Sequence, residues 1–312
     1  MKKIKIRKTG QEVPALIVGC MRQAGFTAQP FDAQQMNHFI HTAVENGANY
    51  FDHADIYGMG RSESVFGEAM ALSRTSLKRE DLIIQSKCGI RRGFFDSSRD
   101  HILEAVDGIL ERLQTEYLDA LLLHRPDALI EPEEVAEAFD KLFQAGKVRH
   151  FGVSNYTPGQ IALLQKYVEQ DLVINQMECS IVHSGMITFG IEANMKTPGS
   201  VDHDGGILDY CRLHDITLQA WSPFQISLHD GAFIDSPDYP ELNEKLAELA
   251  EKYDTDKAGI SLAWLLRHPA GMQVLAGTSK EERLIRMIKA SEIVLSREEW
   301  YAIYLAAWNI LP

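Results

Sequence analysis

The sequence predicts a closed (β/α)8 TIM barrel, one domain over residues 1–312, with a β-hairpin in front and extra helices behind. Three observations carry that prediction. Eight short apolar runs recur along the chain, amphipathic segments separate them, and no linker or low-complexity stretch divides the sequence in two. Buried runs alternating with helices imply a parallel sheet, and eight strands close a barrel. The competing architecture, an open doubly wound sheet, typically has fewer strands and a glycine fingerprint near its start.

The elements follow in order. The opening IKIRKTGQEV (4–13) reads as a hairpin turning near Thr9-Gly10, placed across the bottom of the barrel. The expected strands are ALIVGC (15–20), ANYFD (48–52), DLIIQSK (81–87), LDALLLH (118–124), RHFGVSN (149–155), LVINQ (172–176), ITLQAWS (216–222) and MQVLAGTS (272–279). Each is the near-continuous apolar run that a strand covered on both faces requires. Helical spacing shows best in RDHILEAVDGILERL, where Ile102, Val106, Ile109 and Leu113 share a face. PEEVAEAFDKLFQAG starts on Pro132, buries Val135, Phe139 and Leu142, and stops at Gly146. Thr157-Pro158 opens the next helix, and Ser296 with Glu299 forms a capping box for the last one. The longest irregular stretch is 183–206, rich in Gly, Pro, Asn and Asp; loops of that length are functional or disordered.

Composition narrows the function. A net charge of -13 argues against the basic face that nucleic acid requires, while leaving room for a local basic pocket. Cys20, Cys88, Cys179 and Cys211 are scattered without C-x-x-C spacing, as reduced thiols in a cytoplasmic protein would be. The basic N-terminus leads into no apolar stretch of a signal peptide, and no apolar run approaches the roughly 18–20 residues of a membrane span. A cytoplasmic enzyme with neither nucleic acid nor membrane as partner is the expectation.

In a barrel the chemistry gathers at the carboxyl ends of the strands. Here those ends carry Met21-Arg22, Asp52, Lys87, His124, Ser154-Asn155, Gln176, Trp221-Ser222 and Gly277-Thr278-Ser279. Lys87 closes an apolar strand, so its ammonium needs a partner, and Asp52 on the neighbouring strand can supply one. Tyr57 follows in FDHADIYGMGRSE (51–63), a stretch that resembles a dinucleotide fingerprint but has Glu63 where the third glycine should stand. A free tyrosine, pKa about 10, is a weak acid, and a nearby ammonium lowers that value. Tyr57 with Lys87 and Asp52 is therefore a candidate proton donor, and His124 a candidate hydrogen-bond donor to the same oxygen. Gly58 and Gly60 let the chain turn so that Tyr57 stands over the mouth, with Arg61 beginning the next helix. A metal site from His53, Asp55, His124, His183 or His203 is disfavoured: Asp52 and His53 alternate in direction, and Lys87 would repel a cation. His53 and Asp55 are read as structural.

FDHADIYG, the Lys of QSKCG, LLLHRPD, GVSN, NQMECS, AWSPF and GTSKEERL, in this order, closely resemble the aldo-keto reductase superfamily, most of all a bacterial branch with HADIYG and HRPD. The resemblance covers almost the whole chain. It implies a catalytic tetrad of Asp52, Tyr57, Lys87 and His124, and hydride transfer from NADPH to a small-molecule carbonyl. It further implies that Ser154, Asn155 and Gln176 bind the nicotinamide amide, that Trp221 stacks on its ring, and that Met21, Arg22, Ser222, Pro223, Phe224, Gly277 and Thr278 lie along the cofactor. Ser279, as N-cap with Glu282 as capping-box partner, would start a helix whose N–H groups receive the 2′-phosphate, with Lys280, Arg283 and Arg286 adding positive charge there. Where the family often shows Glu-Asn near the adenine, this chain has Arg286-Met287. Substrate choice is expected from 183–206, from 223–240 and from the tail near Trp308, with Met21, Phe224, Phe233 and Trp308 as candidate pocket residues. The rival function is a non-catalytic NADP(H)-binding regulatory or redox-sensing subunit.

Overall fold

A computed structural model describes residues 1–24, 29–72, 76–227 and 229–311. The apolar runs fold as eight strands in alternation with helices. In chain order they are β1 (Leu16–Gly19), α1 (Ala33–Glu45), β2 (Tyr50–Asp52), α2 (Arg61–Leu72), β3 (Ile83–Cys88), α3 (Arg99–Leu113), β4 (Leu118–Leu123), α4 (Pro132–Gln144) and β5 (Val148–Ser154). There follow α5 (Pro158–Gln165), β6 (Leu172–Glu178), α6 (Ile207–Leu213), β7 (Thr217–Trp221), α7 (Pro240–Lys252), α8 (Lys257–Leu266), β8 (Gln273–Ala276), α9 (Glu281–Ala290) and α10 (Arg297–Ala306). Every strand pairs in parallel with the next, and β8 closes on β1 through Val274↔Leu16, Leu275↔Ile17 and Ala276↔Val18. The barrel is the expected one.

The strands bury one face against the helices and the other inside the barrel, and the two cores differ. Outside, the aliphatic stripes meet the sheet as the spacing predicts; Ile102, Val106, Ile109 and Leu113 of α3 and Val135, Phe139 and Leu142 of α4 are all buried. Inside, the floor is apolar: Ile17, Tyr50, Ala120, Leu122, Val173, Ile174 and Leu275 pack with Ile6 and Val13. The last two belong to the hairpin of Lys3–Lys5 with Glu12–Pro14, which therefore seals the bottom as expected. Above that floor the interior turns polar, with buried Asp52, Gln85, Lys87, Gln176, Gln219 and Gln273.

Helix ends follow local chemistry. Asp32 and Gln35 cap α1 reciprocally, and Ser296 with Glu299 does so for α10. The start of α9 departs from expectation. Its N-cap is Lys280, not Ser279, and no side chain caps it. Thr278 Oγ1 accepts the Lys280 N–H at 3.1 Å, so a hydroxyl one residue earlier closes the turn and displaces the Ser279–Glu282 box. Trp264 and Trp300 stack at 4.7 Å and exchange indole N–H bonds with each other's carbonyls, fastening α10 to α8.

Two stretches read as irregular are more ordered than expected. Residues 183–206 contain a helix, Gly185–Ile191, and a 3-10 turn, Pro198–Ser200; Asp202 and Asp204 accept the backbone N–H groups that lead into α6. Residues 223–240 contain a two-stranded ribbon, Gln225–Ser227 with Gly231–Ala232; Leu228, within that stretch, lies outside the described residues. No helix among the described residues is long and apolar enough to cross a membrane.

Candidate active site

Asp52 ends β2 and pairs in register with Gln85 of β3, which places Lys87 one pleat nearer the mouth on the same inward face. Lys87 Nζ lies 2.7 and 2.9 Å from the Asp52 oxygens, 2.6 Å from the His53 carbonyl and 3.2 Å from the Tyr57 hydroxyl. An ammonium has three protons; here four oxygens compete for them. Lys87 is 0 % exposed and Asp52 1 %, so the pair is sealed from water. Burial works against the charged lysine, but Asp52 and Tyr57 more than offset it and hold its pKa above the usual value.

Tyr57 stands on a tight turn. Gly58, Met59 and Gly60 all adopt positive φ; at Gly60, with φ +87° and Arg112 Cδ 2.8 Å from where a Cβ would stand, glycine is favoured. α2 then begins at Arg61, as expected. The pKa of Tyr57 departs from expectation. Burial raises it above the ordinary value and outweighs the downward pull of Lys87, while Asp52 adds a further push upward. The phenol is thus protonated throughout the neutral range. His124 presents its ring edgewise to Tyr57, centroids 6.0 Å apart. Burial, then Lys87 and Arg125, hold its pKa well below the usual range, so the imidazole is neutral. Its Nδ1 is buried without a partner. His53 points away from the barrel axis onto Phe66, at 4.6 Å, and burial pushes its pKa down to about 3. Its ring lies on the opposite face from Asp52, as the alternation argument required.

Below the tetrad lies a feature the sequence reading missed. Gln85 Nε2 donates to Asp52 Oδ1 at 2.6 Å and to Gln219 Oε1 at 2.9 Å. Gln176 Nε2 does the same, at 3.0 Å to each. Gln219 Nε2 passes on to Gln273 Oε1 at 3.0 Å, and Gln273 Nε2 ends on the Pro14 carbonyl of the hairpin at 2.8 Å. A ladder of glutamines therefore runs from the barrel floor to the Asp52 carboxylate. Both protons of the Gln85 and Gln176 amides are used, which fixes their orientation with N–H toward Asp52; each donor to a carboxylate contributes about 1.5–3 kcal/mol. The signal was legible in the period of two: Gln85 lies two residues before Lys87, and Gln219 two before Trp221.

The residues expected along the cofactor fall in two groups. Ser154 Oγ donates to the Gln176 carbonyl at 2.9 Å, Asn155 Nδ2 to Ser154 Oγ at 2.8 Å, and Trp221 Nε1 to Asn155 Oδ1 at 3.2 Å, a connected set over the ends of β5, β6 and β7. The Gln176 amide nitrogen is committed to the ladder, which leaves its carbonyl oxygen as the group open to a ligand. Ser222 Oγ donates to Gln225 Oε1 at 2.7 Å, Pro223 is buried and Phe224 half-buried. Met21 and Arg22 begin a one-turn helix, Met21–Ala24, just past the end of β1. Of the proposed pocket residues, Phe233 is core, and Trp308 stacks on Tyr239 at 5.0 Å while remaining largely exposed.

The second group surrounds the start of α9. A cavity of about 430 Å³ opens between α1 and α9, lined by Phe31, Gln35, His38 and Ser279 to Glu282. Gly277 and Thr278 lead into it from β8. Lys280 and Arg283 are exposed and form no ion pair among the described residues, whereas Arg286 is bound to Asp256 at 3.1 Å. Gln23, unremarked in the sequence, donates to the Thr278 carbonyl at 3.0 Å and leaves its own Oε1 buried without a partner. Free cations, helix N–H groups and an orphaned amide oxygen along one path suit a dinucleotide that carries phosphate.

A (β/α)8 barrel with tyrosine, lysine, aspartate and histidine gathered at its carboxyl-terminal face is the architecture of an oxidoreductase that acts on carbonyl groups. Residues 15–305 match the model of the Aldo/keto reductase family. The oxidoreductase YdhF of Escherichia coli K12 is 34% identical over 98% of each chain. Among solved structures, a thermostable aldo-keto reductase in complex with the inhibitor epalrestat is 28% identical, with a TM-score of 0.76 over 98% of this chain and 100% of that one. An aldo/keto reductase from Klebsiella pneumoniae in complex with NADP and acetate is 25% identical, with a TM-score of 0.74 over 97% of this chain and 94% of that one. The chain belongs to the aldo/keto reductase family and is an oxidoreductase; the family's general reaction is carbonyl reduction.

Proposed function

We propose that this protein reduces an aldehyde or ketone to the alcohol with NADPH, using Tyr57 as the general acid. The observation that carries the reading is the position of Lys87 Nζ, bound at once to Asp52 and, at 3.2 Å, to the Tyr57 hydroxyl. Ser154, Asn155 and the Gln176 oxygen would hold the nicotinamide amide, Trp221 its ring, and Lys280 and Arg283 the 2′-phosphate. Met21, Arg22, Ser222, Pro223, Phe224, Gly277, Thr278 and Ser279 would lie along the rest. When bound, the reduced nicotinamide supplies the hydride that the carbonyl carbon takes up.

The residues of this chain do the rest. The substrate oxygen lies between Tyr57 and the neutral His124, whose ring N–H donates to it. As charge gathers on that oxygen, the Tyr57 O–H bond breaks and its proton moves across. The phenolate left behind faces the Lys87 ammonium, which Asp52 and the glutamine ladder keep charged and in place. The raised pKa of Tyr57 keeps the proton loaded at neutral pH, which favours reduction; the reverse reaction needs phenolate and higher pH.

Tyr57→Phe tests the acid. Its NADPH affinity, followed by fluorescence titration, should stay close to wild type while kcat falls by roughly 10²–10⁴. A fully active variant would remove Tyr57 from the role. Arg283→Ala tests the phosphate contact: its Kd for NADPH should rise about tenfold or more with little change for NADH, since a charge-assisted contact contributes about 1.5–3 kcal/mol. Equal weakening of both would place the 2′-phosphate elsewhere. No NADPH oxidation above background across a broad aldehyde panel would instead favour a nucleotide-binding subunit.

A further inference from the structure

Arg125 follows His124 and has no part in the scheme above. In the barrel, β4 and β7 are separated by β5 and β6. Yet the Arg125 guanidinium, carried just past the end of β4, lies 5.4 Å from the centre of the Trp221 ring at the end of β7. The Trp221 indole itself reaches back to Asn155 at the end of β5, at 3.2 Å, and the Arg125 side chain crosses the strand ends to meet it rather than extending into solvent. It crosses half-buried and forms no ion pair among the described residues. Other partly covered arginines of this acidic chain have a partner for the guanidinium: Arg79 holds Asp119 at 2.7 Å, Arg112 holds Glu63 at 2.8 Å, and Arg267 donates to the Leu295 carbonyl at 2.8 Å. Burial lowers the pKa of Arg125, and Glu178, the carboxylate that acts against this, only partly compensates. The mouth thus contains a desolvated, underneutralised fork of donors beside the residue that orients the carbonyl. A guanidinium suits a planar, two-oxygen anion.

We propose that Arg125 recognises the substrate, and that the preferred substrates are carbonyl compounds bearing a carboxylate a few bonds from the C=O group. The inference rests on the reductase reading of the same site. The carboxylate lies on the Trp221 side of the mouth, bound by Arg125, while the carbonyl oxygen meets Tyr57 and His124.

The test compares kcat/KM for para-carboxybenzaldehyde, its neutral methyl ester and glyceraldehyde, in wild type, Arg125→Gln, Arg125→Lys and Tyr57→Phe. Wild type should favour the carboxylate over its ester by about ten- to a hundredfold, the factor expected of a charge-assisted pair. Arg125→Gln should lose most of that ratio through KM, falling far more on the carboxylate than on the ester. Arg125→Lys should restore part of it, as a point charge without the fork. Absence of the preference in wild type, or an Arg125→Gln loss equal on all three aldehydes, would overturn the proposal. A larger loss on glyceraldehyde would overturn it in favour of a polyol contact. The reductase reading fails separately: it is lost if wild type turns over none of the three or if Tyr57→Phe remains active, whereas Arg125 alone is at fault if reduction depends on Tyr57 but ignores the carboxylate.

Discussion

Two buried carboxylates lie back to back across β3, built from nearly the same parts. Lys87 points into the barrel and holds Asp52; its neighbour Ser86 points out and donates to Glu63 at 2.6 Å. Glu63, like Lys87, is 0 % exposed, and Arg112 completes the outer cluster with two nitrogens at 2.8 Å from one carboxylate oxygen. The outer cluster joins α2, α3 and β3. Its cation is a guanidinium, permanently charged and 30 % exposed, and among the described residues no titratable hydroxyl bonds to it. The inner cluster uses an ammonium that can share its protons, adds Tyr57, and opens to the mouth. A buried carboxylate–cation pair is therefore not in itself a site. The third, titratable group at an opening makes it one.

Removing each cation is the strongest way to break this comparison. Lys87→Met strands Asp52 inside the barrel and deprives Tyr57 of its ammonium. It should lower kcat by roughly 10²–10⁴ and stability by about 3–5 kcal/mol. Arg112→Met leaves Glu63 one hydrogen bond from Ser86 and a route to water through the vacated space. It should destabilise by about 1–3 kcal/mol while turnover stays close to wild type. Urea melts and NADPH oxidation on the same preparations check both. An Arg112→Met enzyme as inactive as Lys87→Met would mean that the outer cluster serves the chemistry too, through the strand both share.

The difference between the clusters was only partly legible beforehand. Asp52, Tyr57, Lys87 and His124 stood out because strand ends in a barrel are few and these residue types are costly to place there without reason. Glu63 read only as a missing glycine, since nothing local says that a helical glutamate will meet a serine from β3 and an arginine from α3. Gln85, Gln219 and Gln273 escaped notice because a polar residue in a strand reads as an interruption, although counting by twos from Lys87 and Trp221 finds the faces of the first two. The direction of the Tyr57 shift could not be had from residue types, because burial and the ammonium oppose each other and only packing decides which is larger. The Ser279 cap failed for a smaller reason: Thr278 offered the same hydroxyl chemistry one residue earlier. In 183–206, order comes from contacts such as Thr188 Oγ1 to Asn309 Oδ1 at 3.4 Å, far away in sequence.

The smallest expected effect lies at Asp55, which stands between the clusters and sharpens the boundary between them. Its backbone N–H donates to the Lys87 carbonyl at 3.0 Å, and one carboxyl oxygen is buried without a partner. Burial, then the Glu63 charge, pushes its pKa up to about 7, against the pull of Arg112 and Lys87. An unfolded aspartate titrates near 4. The folded protein therefore keeps a proton that the unfolded chain releases across this window. Stability from this group is complete below about pH 4 and is lost as pH rises through about 7. Asp55→Asn keeps the shape and removes the ionisation. The variant should match wild type in acid and exceed it by about 1–2 kcal/mol above neutrality, a figure reduced for the solvent that reaches the group. Thermal melts at several pH values read the difference, and turnover should change little. A variant weaker than wild type at every pH, with reduced kcat, would show that the Asp55 carboxylate works in its ionised form, and would move it from the structural side of β3 to the catalytic one.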